Sequence, residues 1–191
     1  MTKSIMLTGV GGQGTILASK LLSMGLAQAG YDVKMSEIHG MSQRGGDVSS
    51  QVRYGKVVNS PVIEKGGADL LVAFEEMEAM RSLPYLKPDG KAVINKYKIN
   101  PMPVVSGVAE YPEGIADEIA KKVSTTVIDA AGKAAELGNP KVMNVILLGS
   151  TVEMMGLNEV NWEQIIKDNV KPKFVELNIK AFEAGRQMVR K

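Results

Sequence analysis

The chain contains no cysteine and only one histidine, His39, among its 191 residues. Without cysteine there is no disulfide, no thiol nucleophile, and no iron–sulfur cluster or zinc site held by thiolates. A single histidine also excludes a metal site built from several imidazoles, and we expect no metal on this chain. If the protein takes part in redox chemistry, its electron carrier is therefore organic or is bound by another polypeptide.

Strong charge and long apolar runs are missing as well. The formal net charge is only +2, from 23 basic and 21 acidic residues, whereas a general nucleic-acid-binding protein needs a marked basic excess. No apolar run approaches the ~18 residues of a membrane-spanning helix, and no signal-peptide pattern precedes the first predicted strand. We therefore expect a cytoplasmic protein that has neither nucleic acid nor a membrane as a partner.

Hydrophobic periodicity predicts a single α/β domain over residues 1–191. The segment from Ile5 to Glu37 has the pattern strand–loop–helix–strand, which is the βαβ unit that builds parallel sheets. Further strands are predicted at Val48–Tyr54, Lys56–Ile63, Asp69–Phe74, Lys91–Asn95, Val104–Val108 and Thr125–Asp129. From Ala130 onward the pattern is helical, with a buried helix predicted over Met143–Met155.

The most informative segment is the turn between the first predicted strand and the first predicted helix, Gly9–Gly14, which we call the glycine loop. Gly9, Gly11 and Gly14 have the G-x-G-x-x-G spacing of a dinucleotide-binding turn, in which the backbone approaches an anion closely at a helix N-terminus. Glu37 stands at about the place where such folds have the acidic residue that binds the ribose.

The two remaining positions of the glycine loop are occupied by Gly12 and Gln13, and this glutamine is not required by dinucleotide chemistry. Strand-to-helix turns also use glycine for packing. The motif by itself therefore leaves a nucleotide site and a structural turn open.

A second polar, glycine-containing segment, residues 37–46, is called the second loop. Its residues of interest are Glu37, His39, Gln43, Arg44, Gly45 and Gly46. Because the carboxyl ends of adjacent parallel strands meet at one edge of a sheet, we expect the two loops to lie side by side, with Gln13, His39 and Arg44 on one polar surface. His39 and Arg44 are the candidates for a catalytic role, but the surface has neither a carboxylate pair nor a nucleophile–base pair. A contact surface, or a contribution to a site in another subunit, is the better interpretation.

Together the two loops resemble the gamma-type subunits of 2-oxoacid:ferredoxin oxidoreductases. The matching stretches are Gly-Val-Gly-Gly-Gln-Gly in the glycine loop and Ser-Glu-Ile-His-Gly-Met-Ser-Gln-Arg-Gly-Gly around the second loop. Other matches follow in order along nearly the whole chain: Ser60-Pro61, Ala68-Asp69, Phe74-Glu75, Asn95, Leu137-Gly138-Asn139, Asn144, Leu148-Gly149, Asn178, Ala181-Phe182 and Gly185. Within this family, the form of the second loop points to the small subunit of the indolepyruvate, or arylpyruvate, type.

The resemblance implies a three-layer α/β/α sandwich with a Rossmann-like, mostly parallel sheet and a helical C-terminal part. It also implies a subunit that is inactive alone, in a complex that oxidatively decarboxylates a 2-oxoacid to an acyl-CoA, CO2 and reduced ferredoxin. Thiamine diphosphate, iron–sulfur clusters and coenzyme A are expected in a large partner subunit and not on this chain alone, and ferredoxin is an indirect partner. The two loops are then candidates for the surface that faces the partner near its cofactor. Two alternatives stay open: a free-standing Rossmann-type dinucleotide-binding protein and a non-catalytic assembly module.

Overall fold

The computed structural model describes residues 2–39 and 46–190, with only the backbone of His39. The strands are β1 (Lys3–Val10), β2 (Asp32–His39), β3 (Asp47–Gly55), β4 (Ala68–Ala73), β5 (Leu86–Asn95) and β6 (Ser124–Ile128). The helices are α1 (Thr15–Gln28), α2 (Glu76–Ser82), α3 (Met102–Val105), α4 (Ile115–Ala120), α5 (Ala130–Glu136), α6 (Met143–Met155), α7 (Trp162–Asn169) and α8 (Val175–Val189). Short 3-10 turns lie at Leu83–Tyr85, Pro140–Val142 and Pro172–Phe174. Among the helices of these ranges, none is both long and apolar enough to cross a membrane.

In the described ranges the strands form one six-stranded sheet in the order β2-β3-β1-β4-β5-β6. β1, β4, β5 and β6 are parallel neighbours, whereas β3 runs antiparallel to both β1 and β2. The prediction of a mostly parallel sheet is therefore confirmed. The expectation that β1 and β2 are adjacent is wrong, because β3 lies between them and pairs with both.

Alternate residues along the central strands face two different helical layers, as the two-residue period of a strand requires. Ile5 and Leu7 of β1 pack with α1 and with the C-terminal helices α5, α6, α7 and α8. Met6, which lies between them in sequence, packs on the opposite face with α2 and α4. The chain is therefore a three-layer α/β/α sandwich, and its helical C-terminal part forms most of one outer layer, as the sequence indicated.

The central helix of that layer is α6, in which Met143–Val152 are all buried. Helix α8 packs directly against it through two glycines. A Cβ on Gly185 would overlap the carbonyl oxygen of Ile146, and one on Gly149 would overlap the carbonyl oxygen of Phe182. The buried helix expected from the sequence is confirmed, and the glycines allow the two helix backbones to approach closely.

One predicted strand, at residues 56–63, is an irregular segment instead. Both edges of β3 are already paired with β1 and β2, so no ladder position on β3 is left for this segment. Side chains of β3 bind it in another way: Gln51 Oε1 accepts a hydrogen bond from the Ile63 N–H at 2.6 Å, and the Arg53 guanidinium donates to the Ser60 carbonyl at 2.9 Å.

The strand predicted at Val104–Val108 is also wrong, since this part of the chain contains the short helix α3. Pro101 precedes the helix and Pro103 lies in its first turn, where a residue without an N–H is tolerated. The N–H groups of Val104 and Val105 both donate to the Pro101 carbonyl, at 2.9 and 3.0 Å. Proline geometry therefore outweighs the β propensity of the valines.

Candidate functional site

The glycine loop connects β1 to α1, and at three of its positions the structure explains why the residue is glycine. Gly12 and Gly14 have φ angles of 102° and 82°, in the left-handed region that other residues rarely adopt. Gly14 is also the N-cap of α1, and a Cβ there would overlap the Asn144 amide. At Gly9, a Cβ would come within 2.9 Å of the Phe74 side chain. Three of the four glycines in the loop are thus explained by the turn and its packing, without a ligand.

The side chain of Gln13 is folded back into the loop that carries it. Its Oε1 accepts a hydrogen bond from the Val10 N–H at 2.7 Å, and its Nε2 donates to the Phe74 carbonyl oxygen at 3.0 Å. Gln13 therefore fastens the glycine loop to the end of β4. Its expected place on a polar contact surface stays a prediction, and both ends of its amide already have partners within the chain.

The Phe74 carbonyl oxygen joins the glycine loop to the next strand. Besides the Gln13 amide, it accepts a hydrogen bond from Asn95 Nδ2 at 3.1 Å. Asn95 is fully buried, and its Oδ1 accepts from the Ala130 N–H at the start of α5 at 3.0 Å. Residues that carry the family resemblance thus fix the relative positions of the ends of β1, β4 and β5.

The second loop meets the glycine loop through its last residue, Gly46. The Gly11 N–H donates to the Gly46 carbonyl at 2.8 Å, beside the pairing of Val10 with Asp47. The loops are neighbours at this point because β3 starts next to β1, and not because β2 is adjacent to β1. The remaining candidates lie outside the described residues, so their position on a shared surface stays a prediction: Gln43, Arg44, Gly45 and the side chain of His39.

Glu37 lies one strand further from the glycine loop than a ribose-binding carboxylate would. It pairs with Ser50 of β3, and two strand spacings separate the β2 backbone from β1 by roughly 10 Å. In the Rossmann arrangement, the acidic residue ends the strand next to the glycine turn. In this chain, Oε1 of Glu37 is buried without a hydrogen-bond partner among the described residues. Glu37 therefore has the correct spacing in sequence but a different place in the sheet.

A groove of about 720 Å³ runs beside the glycine loop, and we call it the loop groove. The residues that line it come from the glycine loop and α1, from the segment after β5, from α5 and from the start of α6: Gly11, Gly12, Gln13, Gly14, Leu17, Tyr97, Ile99, Ala131, Ala135, Pro140, Lys141, Met143 and Asn144. These described lining residues include no carboxylate, imidazole or thiol, and the described ranges contain no cluster of side chains able to hold a metal ion. The groove is suited to binding part of a ligand or partner, and its lining does not form a complete catalytic set.

Glu75, at the acidic start of α2, makes long-range hydrogen bonds that the local sequence does not indicate. Glu75 is 1% exposed, and its Oε2 caps α2 by accepting from the Glu78 N–H at 3.0 Å. Its Oε1 accepts from the Ile99 N–H at 3.1 Å and from the Tyr111 hydroxyl. Burial, together with the hydrogen bond to Glu75, raises the pKa of the Tyr111 hydroxyl above its ordinary value. These partners are 24 and 36 residues away, so only the fold reveals them.

Comparison with known sequences gives matches over nearly the whole chain. Residues 4–188 match the family model described as pyruvate ferredoxin/flavodoxin oxidoreductase. The indolepyruvate oxidoreductase subunit IorB of Thermococcus kodakarensis is 39% identical over 190 residues, covering 95% of this chain and 93% of the relative. The 2-oxoglutarate synthase subunit KorC of Methanothermobacter thermautotrophicus is 31% identical over 193 residues, covering 98% of this chain and 95% of the relative.

Solved structures share the fold. The gamma subunit of a keto/oxoacid ferredoxin oxidoreductase from Geobacter sulfurreducens has a TM-score of 0.72 and 24% identity, with 97% of each chain covered. A 2-oxoglutarate:ferredoxin oxidoreductase from Magnetococcus marinus has a TM-score of 0.76 and 20% identity, covering 98% of this chain but 31% of that longer chain. The same fold thus occurs both as a separate chain and as part of a longer one.

Proposed function

Since the chain belongs to the pyruvate ferredoxin/flavodoxin oxidoreductase family, we propose that it is the small subunit of a 2-oxoacid:ferredoxin oxidoreductase of the indolepyruvate, or arylpyruvate, type. The observation that carries the proposal is the end-to-end match at 39% identity with a relative named as an indolepyruvate oxidoreductase subunit. The matches named for 2-oxoglutarate are less similar, as in the 31% identity of the Methanothermobacter chain.

The proposed reaction of the complex is the oxidative decarboxylation of an arylpyruvate to the aryl-acetyl-CoA and CO2. The two electrons released pass one at a time to ferredoxin. Thiamine diphosphate supplies the carbanion chemistry of such a decarboxylation, and iron–sulfur clusters carry the electrons. This chain has no cysteine and, in its described part, no cluster of side chains able to hold a metal ion, so its residues do not fit an iron–sulfur cluster. We assign the clusters, thiamine diphosphate and coenzyme A to a large partner subunit, as the family resemblance implies.

In this division of labour, the chain contributes the edge of the sheet formed by the two loops and the loop groove. Two observations support this proposal. Gln13 and Asn95 join strand ends to one another by hydrogen bonds to the Phe74 carbonyl. The lining of the loop groove has a single charged side chain, Lys141. Such an edge can pack against a partner and shape its site from one side. Of the candidates predicted from the sequence, His39 and Arg44 are the ones whose side chains would act there.

Co-expression with the large subunit encoded in the same genome tests the proposal. The tagged chain should co-purify with a thiamine- and iron–sulfur-containing subunit in a fixed ratio that survives gel filtration. The chain alone should reduce no ferredoxin with any 2-oxoacid. If the chain stays separate from the large subunit during gel filtration, the proposed function is wrong.

A second candidate is a non-catalytic assembly module, and the absence of carboxylate and imidazole groups from the described lining of the loop groove favours it. Replacing His39 and Arg44 by alanine separates the two roles in the reconstituted complex. A contribution to the partner's site predicts that turnover falls while the complex stays intact. A pure assembly role predicts that turnover falls only as far as the subunits dissociate.

A further inference from the structure

We infer that Glu75 is a positioning residue that holds a strap, residues 96–111, in place as one wall of the loop groove. The strap begins directly after β5 and ends shortly before α4. It contributes Tyr97 and Ile99 to the groove lining, to which the glycine loop also contributes. The geometry that supports this role lies within the chain itself, so the inference does not depend on the proposed activity.

Two distant points of the strap are bound by one oxygen atom. Glu75 Oε1 accepts from the Ile99 N–H at 3.1 Å and from the Tyr111 hydroxyl. The Tyr111 hydroxyl in turn accepts from the Met77 N–H at 3.1 Å. Hydrogen bonds to a carboxylate are stronger than those between neutral groups, and they are screened little when the carboxylate is buried. A single buried side chain thus closes the loop between Ile99 and Tyr111.

The middle of the strap has no core of its own to hold it. None of the residues of α3 is buried, and Met102, Val105 and Val108 are 74%, 65% and 82% exposed. The backbone hydrogen bonds from Val104 to Ala109 all run to acceptors within the strap. Its position relative to the sheet therefore depends on its ends.

The strap and the glycine loop are attached to consecutive residues at the end of β4. Gln13 binds the carbonyl of Phe74 at 3.0 Å, and Glu75, the next residue, binds the strap. The Glu76 N–H also donates to the Tyr97 carbonyl at 3.0 Å. Residues 74–76 thus hold both the glycine loop and the strap. Release of the strap from Glu75 should therefore widen the loop groove.

Tyr111→Phe in the full-length chain is the direct test, because it removes one hydroxyl and leaves the ring in the apolar cluster below α2. Loss of a hydrogen bond to a buried carboxylate should speed amide exchange at Ile99 and across residues 97–110 by about 10- to 100-fold. Exchange in β1 and β4 should stay unchanged. Tyr85→Phe is the matched control, since Tyr85 packs against the same cluster but takes no part in the hydrogen bonds of Glu75.

A distance measurement tests the groove wall itself. The chain has no cysteine, so spin labels can be placed specifically by Val108→Cys on the strap and by Lys141→Cys, a residue of the groove lining outside the strap. Pulsed dipolar spectroscopy should give a narrow distance distribution with Tyr111 present. The same pair with Tyr111→Phe should give a broader distribution that extends to longer distances.

Two results of the exchange experiment would overturn the inference: exchange in Tyr111→Phe equal to that in Tyr85→Phe, or an increase spread evenly over the whole chain. An unchanged distance distribution would do the same. Glu75→Gln provides a second variant, because its single amide oxygen should turn to the strap side, where Ile99 and Tyr111 both donate, and so lose the hydrogen bond from the Glu78 N–H. The flipped amide would place its NH2 group against the Ile99 N–H. The variant should release the start of α2 more than the strap, and the reverse order would contradict the assigned contacts.

Discussion

Replacing Gln13 by alanine should destabilise the isolated chain, because this side chain ties the glycine loop to β4. The change removes the 2.7 Å hydrogen bond from the Val10 N–H and the 3.0 Å hydrogen bond to the Phe74 carbonyl. The Phe74 oxygen keeps its bond from Asn95, at 3.1 Å, whereas the Val10 N–H, on a residue that is 7% exposed, loses its partner. A net hydrogen bond is worth about 0.5–1.5 kcal/mol and a stranded buried donor costs about 1–3 kcal/mol. Since water can reach the half-exposed loop, we expect a total loss of about 2–3 kcal/mol.

Urea unfolding and thermal melting measure this loss. For a chain of this size, about 2–3 kcal/mol corresponds to a fall in Tm of roughly 4–12 °C. Gln28→Ala, at the exposed end of the same helix, is the control and should change stability by less than about 0.5 kcal/mol. Gln13→Glu keeps the acceptor for Val10 but places a carboxylate against the Phe74 carbonyl, so it should be no more stable than the alanine variant. If Gln13→Ala unfolds at the same urea concentration as Gln28→Ala, the structural account of the glycine loop is refuted.

Three further outcomes are expected. Gly185→Ala should cost about 3 kcal/mol, because its Cβ would overlap the Ile146 carbonyl and force α6 and α8 apart; an unchanged urea midpoint would contradict that packing. Glu153→Gln should lower Tm at neutral pH, because hydrogen bonds from Arg190 and a second arginine hold the pKa of Glu153 below its ordinary 4.5. This stabilisation is fully present well above pH 4.5 and is lost as the pH falls through the lower folded pKa, so the Tm difference should shrink as the pH is lowered below 4.5; a constant difference would point to another cause. Calorimetric titration with NAD, NADP or FAD should show no binding, since β3 separates Glu37 from the glycine loop; a micromolar isotherm weakened by Glu37→Ala would support the dinucleotide alternative.

The parts of the fold that could be predicted are those with a strong local pattern. The continuous apolar run of α6 and the strand–glycine–helix transition at β1 each identify their own element. The place of β3 could not be predicted, because an alternating strand of residues 47–55 is equally compatible with an edge and with an internal position. Because β3 lies between β1 and β2 in the structure, Glu37 on β2 is not at the position of a ribose-binding carboxylate.

The candidate site shows the same division. The spacing of Gly9, Gly11 and Gly14 correctly located a tight turn, but spacing does not distinguish a turn that binds an anion from one that is fastened by its own Gln13. An acidic residue such as Glu75 just after an apolar strand is typical of a helix start, whereas its partners Ile99 and Tyr111 become neighbours only when the sheet has formed. Contacts between residues so far apart in sequence produce no periodic pattern, so they could not be predicted from the sequence.

Reduction of ferredoxin by the reconstituted complex tests the central claim most directly. A fixed amount of the purified large subunit is titrated with this chain in the presence of coenzyme A and either indolepyruvate or 2-oxoglutarate. Membership of an arylpyruvate-specific complex predicts that indolepyruvate-dependent reduction rises with added chain and saturates at a stoichiometric ratio, with far less activity on 2-oxoglutarate. Activity that is independent of the added chain would contradict the account, and a preference for 2-oxoglutarate would contradict the arylpyruvate assignment.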